Sequence, residues 1–234
     1  MTLTSIESQF VEKFGSLIDE SIHNSPFFNA WTEDNVDAAK AKKFLATFEA
    51  LVRSFPSLIA LGAARATDAD TRTVLAVNLY QECGEGDLQR THHAIFRQFL
   101  DTANVDPTTA PSQTFTEDWR VGLLNYIEKV ESPLAALGAL AAGEFLAQPV
   151  LSRIFSVIEP LYPDANVEYF TTHLELETEH VEEVASLLAR QVELGGSPDD
   201  IEKGFEFGLK TWVNYFDCLS EYVFDANVRS VGGQ

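Results

Sequence analysis

The sequence predicts an all-α fold, a single compact bundle of seven to eight helices in one domain over residues 1–234. Apolar residues recur every three or four positions along most of the chain, which is the spacing of amphipathic helices. No segment shows the strict alternation of apolar and polar residues that a half-buried strand requires. No internal repeat or low-complexity linker divides the chain, so one domain is favoured over two small ones.

The first half of the chain carries four predicted helices. They are expected at about residues 6–18, 35–66, 68–82 and 88–102. An aromatic-rich break at 25–31 separates the first two. Pro56 is expected to kink the second helix, because proline lacks the backbone N–H and its ring clashes with the preceding turn. Gly84 and Gly86 then interrupt the chain after the third helix.

The second half carries four more predicted helices. They are expected at about residues 119–131, 133–152, 167–194 and 198–224. A loop rich in Pro, Thr and Ser over 107–113 and a turn over 162–166 separate helices in this half. Pro133 suits the first turn of the helix over 133–152. The Gly195-Gly196 pair ends the helix over 167–194.

The stretch from Ser132 to Ser152 is rich in Ala and Leu and carries one charge, Glu144. Its length approaches the roughly 20 residues of a membrane span. Glu144 at its centre, followed by Gln148 and Pro149, favours instead the central helix of a soluble protein, which is apolar all round. An ionised carboxylate there costs several kcal/mol unless it is paired or binds a metal. Glu144 is therefore expected to be a ligand facing the interior, the alternative being a hydrogen bond with backbone freed by Pro149.

The charge balance excludes some partners. The chain has 36 acidic and 16 basic residues, a formal net charge of −20. Nucleic acids and anionic membranes bind basic patches, so neither is an expected partner. Cys83 and Cys218 are the only cysteines, which implies no disulfide framework and suits the cytoplasm. The first ten residues lack the basic and apolar regions of a signal peptide.

A group of possible metal ligands lies at His173, Glu177 and His180. Their offsets of 0, 4 and 7 place them at about 0°, 40° and 340° around a helix, on one stripe. Imidazole and carboxylate are ligands for first-row transition metals. The alternative is a solvated acidic face, because four other glutamates lie between residues 175 and 183.

A second group surrounds the glycine break. Glu82 precedes it, and His92 and His93 follow ten and eleven residues later. A turn at the glycines would let Glu82 converge with a histidine. A continuous helix would favour His93, which returns to within about 20° of the face of Glu82, but the break removes the basis of that argument. Glu85 is a second candidate for the carboxylate, and a helix end beside surface histidines is the alternative to a site.

These residues together form a candidate metal-binding set of three carboxylates and three imidazoles. The set is Glu82, His92 or His93, Glu144, His173, Glu177 and His180. Helix-bundle interiors hold di-iron and di-manganese sites of about this composition. The ferritin-like arrangement does not fit, because it needs Glu-x-x-His on two helices and only Glu177 to His180 provides one.

The pattern resembles the haem-oxygenase-like di-iron oxidases and oxygenases, relatives of the chlamydial CADD protein and the TenA/PqqC fold. That family carries a Glu with a nearby His, a lone Glu on a central helix, and a final His-x3-Asp/Glu-x2-His motif. The resemblance implies a haem-oxygenase-like domain with two iron ions and O2 as co-substrate. It assigns six ligands, which are Glu82, His92, Glu144, His173, Glu177 and His180. The middle acid of the last motif is frequently Asp in the family, and Glu49 is a candidate for one further carboxylate.

The resemblance also implies a small-molecule substrate, most often an amino acid or a fatty acid. The expected reactions are N-oxygenation, desaturation or C–C cleavage of an amino-acid-like carboxylate, with oxidative decarboxylation of a fatty acid as the alternative. A carboxylate-bearing substrate would need a cation in its pocket. The candidates are Arg53, Arg65, Arg153 and Lys210.

Other functions remain open at this stage. A haem-binding relative would need one proximal histidine. A thiaminase-like relative would need a well-placed nucleophilic cysteine. A non-enzymatic metal-binding or interaction protein would need neither of these residues. A homodimer is left open.

Overall fold

The computed structural model describes residues 4–110 and 114–224, without the side chains of residues 114 and 175–180. These residues form nine α-helices joined by turns and three short 3-10 helices, and they contain no strand. The helices are α1 (Ser5–Asn24), α2 (Pro26–Ala30), α3 (Ala38–Arg65), α4 (Ala69–Glu82), α5 (His92–Thr102), α6 (Thr114–Lys129), α7 (Pro133–Ile158), α8 (Glu168–Glu193) and α9 (Pro198–Phe224). The all-α prediction is confirmed.

The expected number of helices was too low, because α2 occupies the stretch predicted as a break. Ser25 precedes this helix and Pro26 starts it, a position where proline is favoured. Five residues are too few to show an apolar period. Phe27 and Phe28 are buried, and the ring of Phe27 lies 5.3 Å from that of Phe216 on α9.

Two helix boundaries differ from the prediction, while α3 agrees with the helix predicted at 35–66. α5 begins at His92 because the Thr91 hydroxyl accepts a hydrogen bond from the backbone N–H of Ala94, as N-cap residues do. α6 begins at Thr114 rather than near residue 119. α3 continues through Pro56 to Arg65.

α7 lies at the centre of the bundle and contacts α1, α3, α6, α8 and α9. Every residue from Ala135 to Leu146 is buried. Two helical segments, Ala38–Arg65 and Pro133–Leu161, are long and apolar enough to cross a membrane, but 50% and 72% of their most apolar windows are buried inside the protein. The second therefore occupies the position of the core helix predicted from its composition.

α7 and α9 approach each other through glycines. A Cβ atom on Gly204 would lie well inside 3.0 Å of the backbone carbonyl of Ala135. A Cβ on Gly138 would meet the carbonyl of Ile201, and one on Gly208 would meet α7 in the same way. The two helices therefore pack backbone against backbone along this contact, and α9 holds α7 in place.

Candidate metal centre

A glycine turn brings the end of α4 next to the start of α5. Gly84, Glu85 and Gly86 have positive φ values of 73°, 54° and 94°. This left-handed conformation is accessible to glycine at no steric cost. A Cβ at Gly84 would also lie 2.5 Å from the backbone nitrogen of Thr91. Glycine at position 84 therefore lets the chain fold back so that the first residue of α5 faces the last residue of α4.

These two residues are Glu82 and His92, and both are buried. The Nδ1 atom of His92 lies 3.0 Å from Oε1 of Glu82. The contact is not a hydrogen bond, because the geometry of the ring nitrogen is unsuitable, and Nδ1 has no hydrogen-bond partner among the described residues. A buried polar atom without a partner costs about 1–3 kcal/mol. A buried ring nitrogen beside a carboxylate oxygen is the arrangement expected of two ligands of one cation.

His173 on α8 completes a group of three. Its Nδ1 atom lies 2.6 Å from the carbonyl oxygen of Tyr169, one turn earlier. A carbonyl oxygen can only accept a hydrogen bond, so Nδ1 carries a proton. In the neutral form of the ring the lone pair is then on Nε2. The ring centroids of His173 and His92 are 4.5 Å apart. One ligand atom from each of Glu82, His92 and His173 lies within 4.8 Å of the other two.

Glu144 on α7 lines the same cavity as these three residues. Its side chain is buried, and its Oε1 accepts a hydrogen bond of 3.0 Å from the amide of Asn78 on α4. Burial, together with the nearby charge of Glu82, raises the pKa of Glu144 to about 7, against the opposing effects of Asn78 and His92. A side chain of α4 thus holds the carboxylate of α7 in the cavity.

The other two members of the predicted set are Glu177 and His180, whose side chains lie outside the described residues. The backbone of α8 is helical without interruption from Glu168 to Glu193. This continuity satisfies the condition under which positions 173, 177 and 180 share one face of a helix.

The alternative ligands lie away from the group. His93 points to α3, where its Nε2 is 2.7 Å from Oε1 of Glu49. This hydrogen bond, with Arg53 and Arg97 nearby, holds the pKa of Glu49 below its usual range despite partial burial. Glu85 is exposed at the glycine turn. The structure therefore gathers Glu82 and His92, and pairs Glu49 with His93.

The four gathered side chains lie at one end of a cavity of about 70 Å³. The remaining wall is apolar or aromatic and comes from α3, α7, α8 and α9. It consists of Phe48, Leu51, Val52, Phe55, Gly143, Leu146, Ala147, Val150, Leu151, Tyr169, Trp212 and Phe216.

No Lys or Arg lines this cavity in the part of the chain that the structure describes. Of the four cations considered from the sequence, Arg53, Arg153 and Lys210 are exposed. Arg65 donates a hydrogen bond to the carbonyl of Val130 instead. None of them reaches the cavity to bind a substrate carboxylate.

Comparison with known proteins decides the family. Residues 42–212 match the model of a haem-oxygenase-type family described as iron-containing redox enzymes. The chain belongs to this family. The matched range includes all six residues of the predicted metal-binding set, and the family resemblance predicted from the motifs is confirmed.

Solved structures share the fold of this iron-containing redox enzyme over nearly its whole length. A CADD-like protein of unknown function from Nostoc punctiforme is 16% identical, with a TM-score of 0.77 and coverage of 94% of this chain and 99% of that one. A domain of unknown function with a heme oxygenase-like fold from Shewanella denitrificans is 18% identical, with a TM-score of 0.72 and coverage of 98% of each chain.

A TenA homologue from Pseudomonas syringae pv. tomato is 12% identical, with a TM-score of 0.68 and coverage of 93% of this chain and 92% of that one. At these identities the likeness shows the fold and not the activity. No curated protein matches the sequence significantly.

Sequence reasoning missed two residues that hold the family member's candidate ligands. Asn78 lies four residues before Glu82 on α4, so its spacing placed it on the same face, but its amide bonds Glu144 on α7. The backbone carbonyl of Tyr169 accepts a hydrogen bond from Nδ1 of His173. The spacing of four residues within one helix could have indicated this contact. Phe55 and Trp212 gave no signal, because tertiary packing alone brings them to the cavity.

The raised pKa of Glu144 predicts how the stability of the metal-free protein depends on pH. Below about pH 4.5 the group is protonated in both folded and unfolded states. As pH rises toward 7 the unfolded state releases this proton first, so stability is lost over that window. The variant Glu144→Gln lacks this loss. We expect its free energy of unfolding, relative to that of the wild type, to rise by ~3 kcal/mol between pH 4.5 and pH 8.

Urea denaturation of both proteins at pH 5 and pH 8, with metal removed by a chelator, measures this difference. Glu128→Gln is the matched control, because Glu128 is exposed on α6. An equal free-energy difference between Glu144→Gln and the wild type at both pH values would contradict the assignment of a raised pKa.

Proposed function

We propose that this protein is a non-haem di-iron oxidase or oxygenase that uses O2 to oxidise a small organic substrate. The observation that carries the proposal is the buried group of Glu82, His92 and His173, with donor atoms within 4.8 Å of one another. Membership of a family of iron-containing redox enzymes supports iron as the metal.

The chemistry of these donors fits iron. Two imidazoles and a carboxylate suit divalent first-row metals, and the buried Nδ1 atom of His92 has no hydrogen-bond partner among the residues that the structure describes. We propose that Glu144 joins them as a fourth ligand, and that Glu177 and His180 on α8 complete the ligands of a second ion. Iron bound there would supply O2 activation and one-electron redox chemistry.

The surrounding residues orient the ligands. The hydrogen bond from Nδ1 of His173 to the carbonyl of Tyr169 fixes the direction of the ring and the position of its lone pair. The amide of Asn78 holds one oxygen of Glu144. In the metal-free protein Glu144 holds a proton near neutral pH, and a bound cation would replace that proton. The apolar wall excludes water from the side of the site where a substrate would react.

Two other activities of this fold fit less well. A haem enzyme needs one proximal histidine, whereas two histidines are grouped here with a carboxylate, which disfavours haem binding. A thiaminase-like reaction needs a cysteine in the pocket. Cys83 is exposed and Cys218 is half-buried, and neither lines the cavity.

The proposal predicts about two iron ions per chain after anaerobic reconstitution with Fe(II) and removal of excess metal, because six ligands of this type commonly hold two ions. Elemental analysis against protein concentration measures the ratio. One ion per chain would contradict the pair, and none would contradict the iron site. Oxygen uptake by the loaded protein, measured with an electrode across a panel of small acids, amines and apolar compounds, then tests the activity.

A further inference from the structure

The cavity has two chemically different parts. Its polar end holds Glu82 and Glu144 with two histidines, while the remaining lining residues are apolar or aromatic. A substrate carboxylate placed deep in this cavity would meet two acidic side chains and no described Lys or Arg. Burying an unpaired charge costs several kcal/mol, whereas burying an apolar group is favourable by about 25 cal/mol per Å².

Gly143 lines the apolar part of the cavity together with Phe55 and Trp212. It precedes Glu144 on α7, and a Cβ atom at this position would lie 3.3 Å from Cε2 of Phe55 and 3.3 Å from Cζ2 of Trp212. The centroids of these two rings are 6.0 Å apart. A single methyl group on residue 143 would therefore touch both rings and reduce the space in the cavity that the three residues line.

We propose that the cavity takes an uncharged apolar group of the substrate, and that Gly143, with Phe55 and Trp212, sets how large this group can be. The inference rests on the proposed function for the reaction that follows, but the binding step needs no iron. Any charged group of the substrate then lies toward the metal or outside the cavity.

Xenon is a suitable probe, since apolar protein cavities bind it. We expect 129Xe NMR of the full-length, metal-free protein to show saturable binding. The variant Gly143→Ala is expected to weaken this binding about fivefold or more, because it fills the space that the atom would occupy. Gly15→Ala is the matched control, since a Cβ at Gly15 on α1 has no atom within 4 Å. Wild-type affinity in Gly143→Ala would overturn the role of Gly143.

A pair of competitors tests the preference for an uncharged group. n-Propanol and propionate have the same carbon chain and differ in charge. n-Propanol is expected to displace xenon from the metal-free protein, and propionate is not, because burying its carboxylate without a cationic partner costs several kcal/mol. Displacement by propionate at the same concentration would overturn the preference.

The variant Phe55→Leu provides a second test, which does not depend on whether Gly143→Ala folds. Phe55 is partly exposed, and shortening it should enlarge the cavity without adding contacts. We expect this variant to bind benzene more tightly than the wild type does, by tryptophan fluorescence, and an unchanged affinity would count against the proposal. Iron content is measured on a second portion of each variant after reconstitution with Fe(II), so that loss of the metal and loss of apolar binding are recorded separately.

Discussion

Replacing His92 with alanine is expected to reduce iron affinity about 100-fold or more, a loss greater than that typical of outer-sphere partners. The reason is that Nδ1 of His92 is buried beside Glu82 with no hydrogen-bond partner among the described residues, so its position suits a metal ligand. Titration of the metal-free protein with Co(II), followed by the visible spectrum of the bound ion, measures the affinity without depending on turnover.

His93→Ala is the matched control, one position along the same helix. His93 pairs with Glu49 and is partly exposed, so its loss is expected to cost at most about 1 kcal/mol of stability and to leave the Co(II) spectrum unchanged. If His93→Ala lost the metal and His92→Ala kept it, the choice between the two histidines would be reversed.

Replacing Gly204 with alanine is expected to destabilise the fold by about 3 kcal/mol or more, the upper range for inserting a methyl group into a packed interior. The new Cβ would overlap the backbone carbonyl of Ala135, and a backbone atom cannot rotate away as a side chain can. α7 and α9 would have to separate along their whole contact. The midpoint of urea denaturation, with the slope checked for two-state behaviour, measures the loss.

Gly15→Ala provides the comparison for this prediction. Its Cβ meets nothing within 4 Å, and alanine in a helix interior is favoured over glycine by roughly 0.5–1 kcal/mol. We therefore expect the two glycine-to-alanine changes to have opposite signs. A destabilisation by Gly15→Ala as large as that of Gly204→Ala would show that the close helix contact is not the cause.

The periodicity of apolar residues was sufficient to predict the long helices, because each buries one face over several turns. It could not find α2, whose five residues complete little more than one turn. It also placed the start of α5 four residues too early. The chain from Asp87 to Arg90 forms turns, and the local signal was Thr91, a cap residue directly before the two histidines.

The candidate site was predictable where its residues are close along one helix or stand out by burial. The isolation of Glu144 in an apolar run is of this kind, whereas the roles of Glu177 and His180 on α8 stay a prediction, because their side chains lie outside the described residues. The choice between His92 and His93 was not predictable, because it depends on the positive φ angles of the turn before them. The apolar wall could not be predicted either, since Phe55 and Trp212 are 157 positions apart in the chain and meet through the packing of α3 against α9.

The glycine contact between α7 and α9 fixes more than the stability of the bundle. Nine residues at about 100° each separate Ala135 from Glu144, so the carboxylate projects from the opposite side of α7. A slide of α7 by one residue, about 1.5 Å with a rotation of about 100°, would drive a side chain into a facing carbonyl. The glycine contact on the opposite side of α7 from Glu144 therefore fixes the register of the helix. Residues of the glycine contact thereby fix the position of a buried carboxylate that projects from the other side of α7.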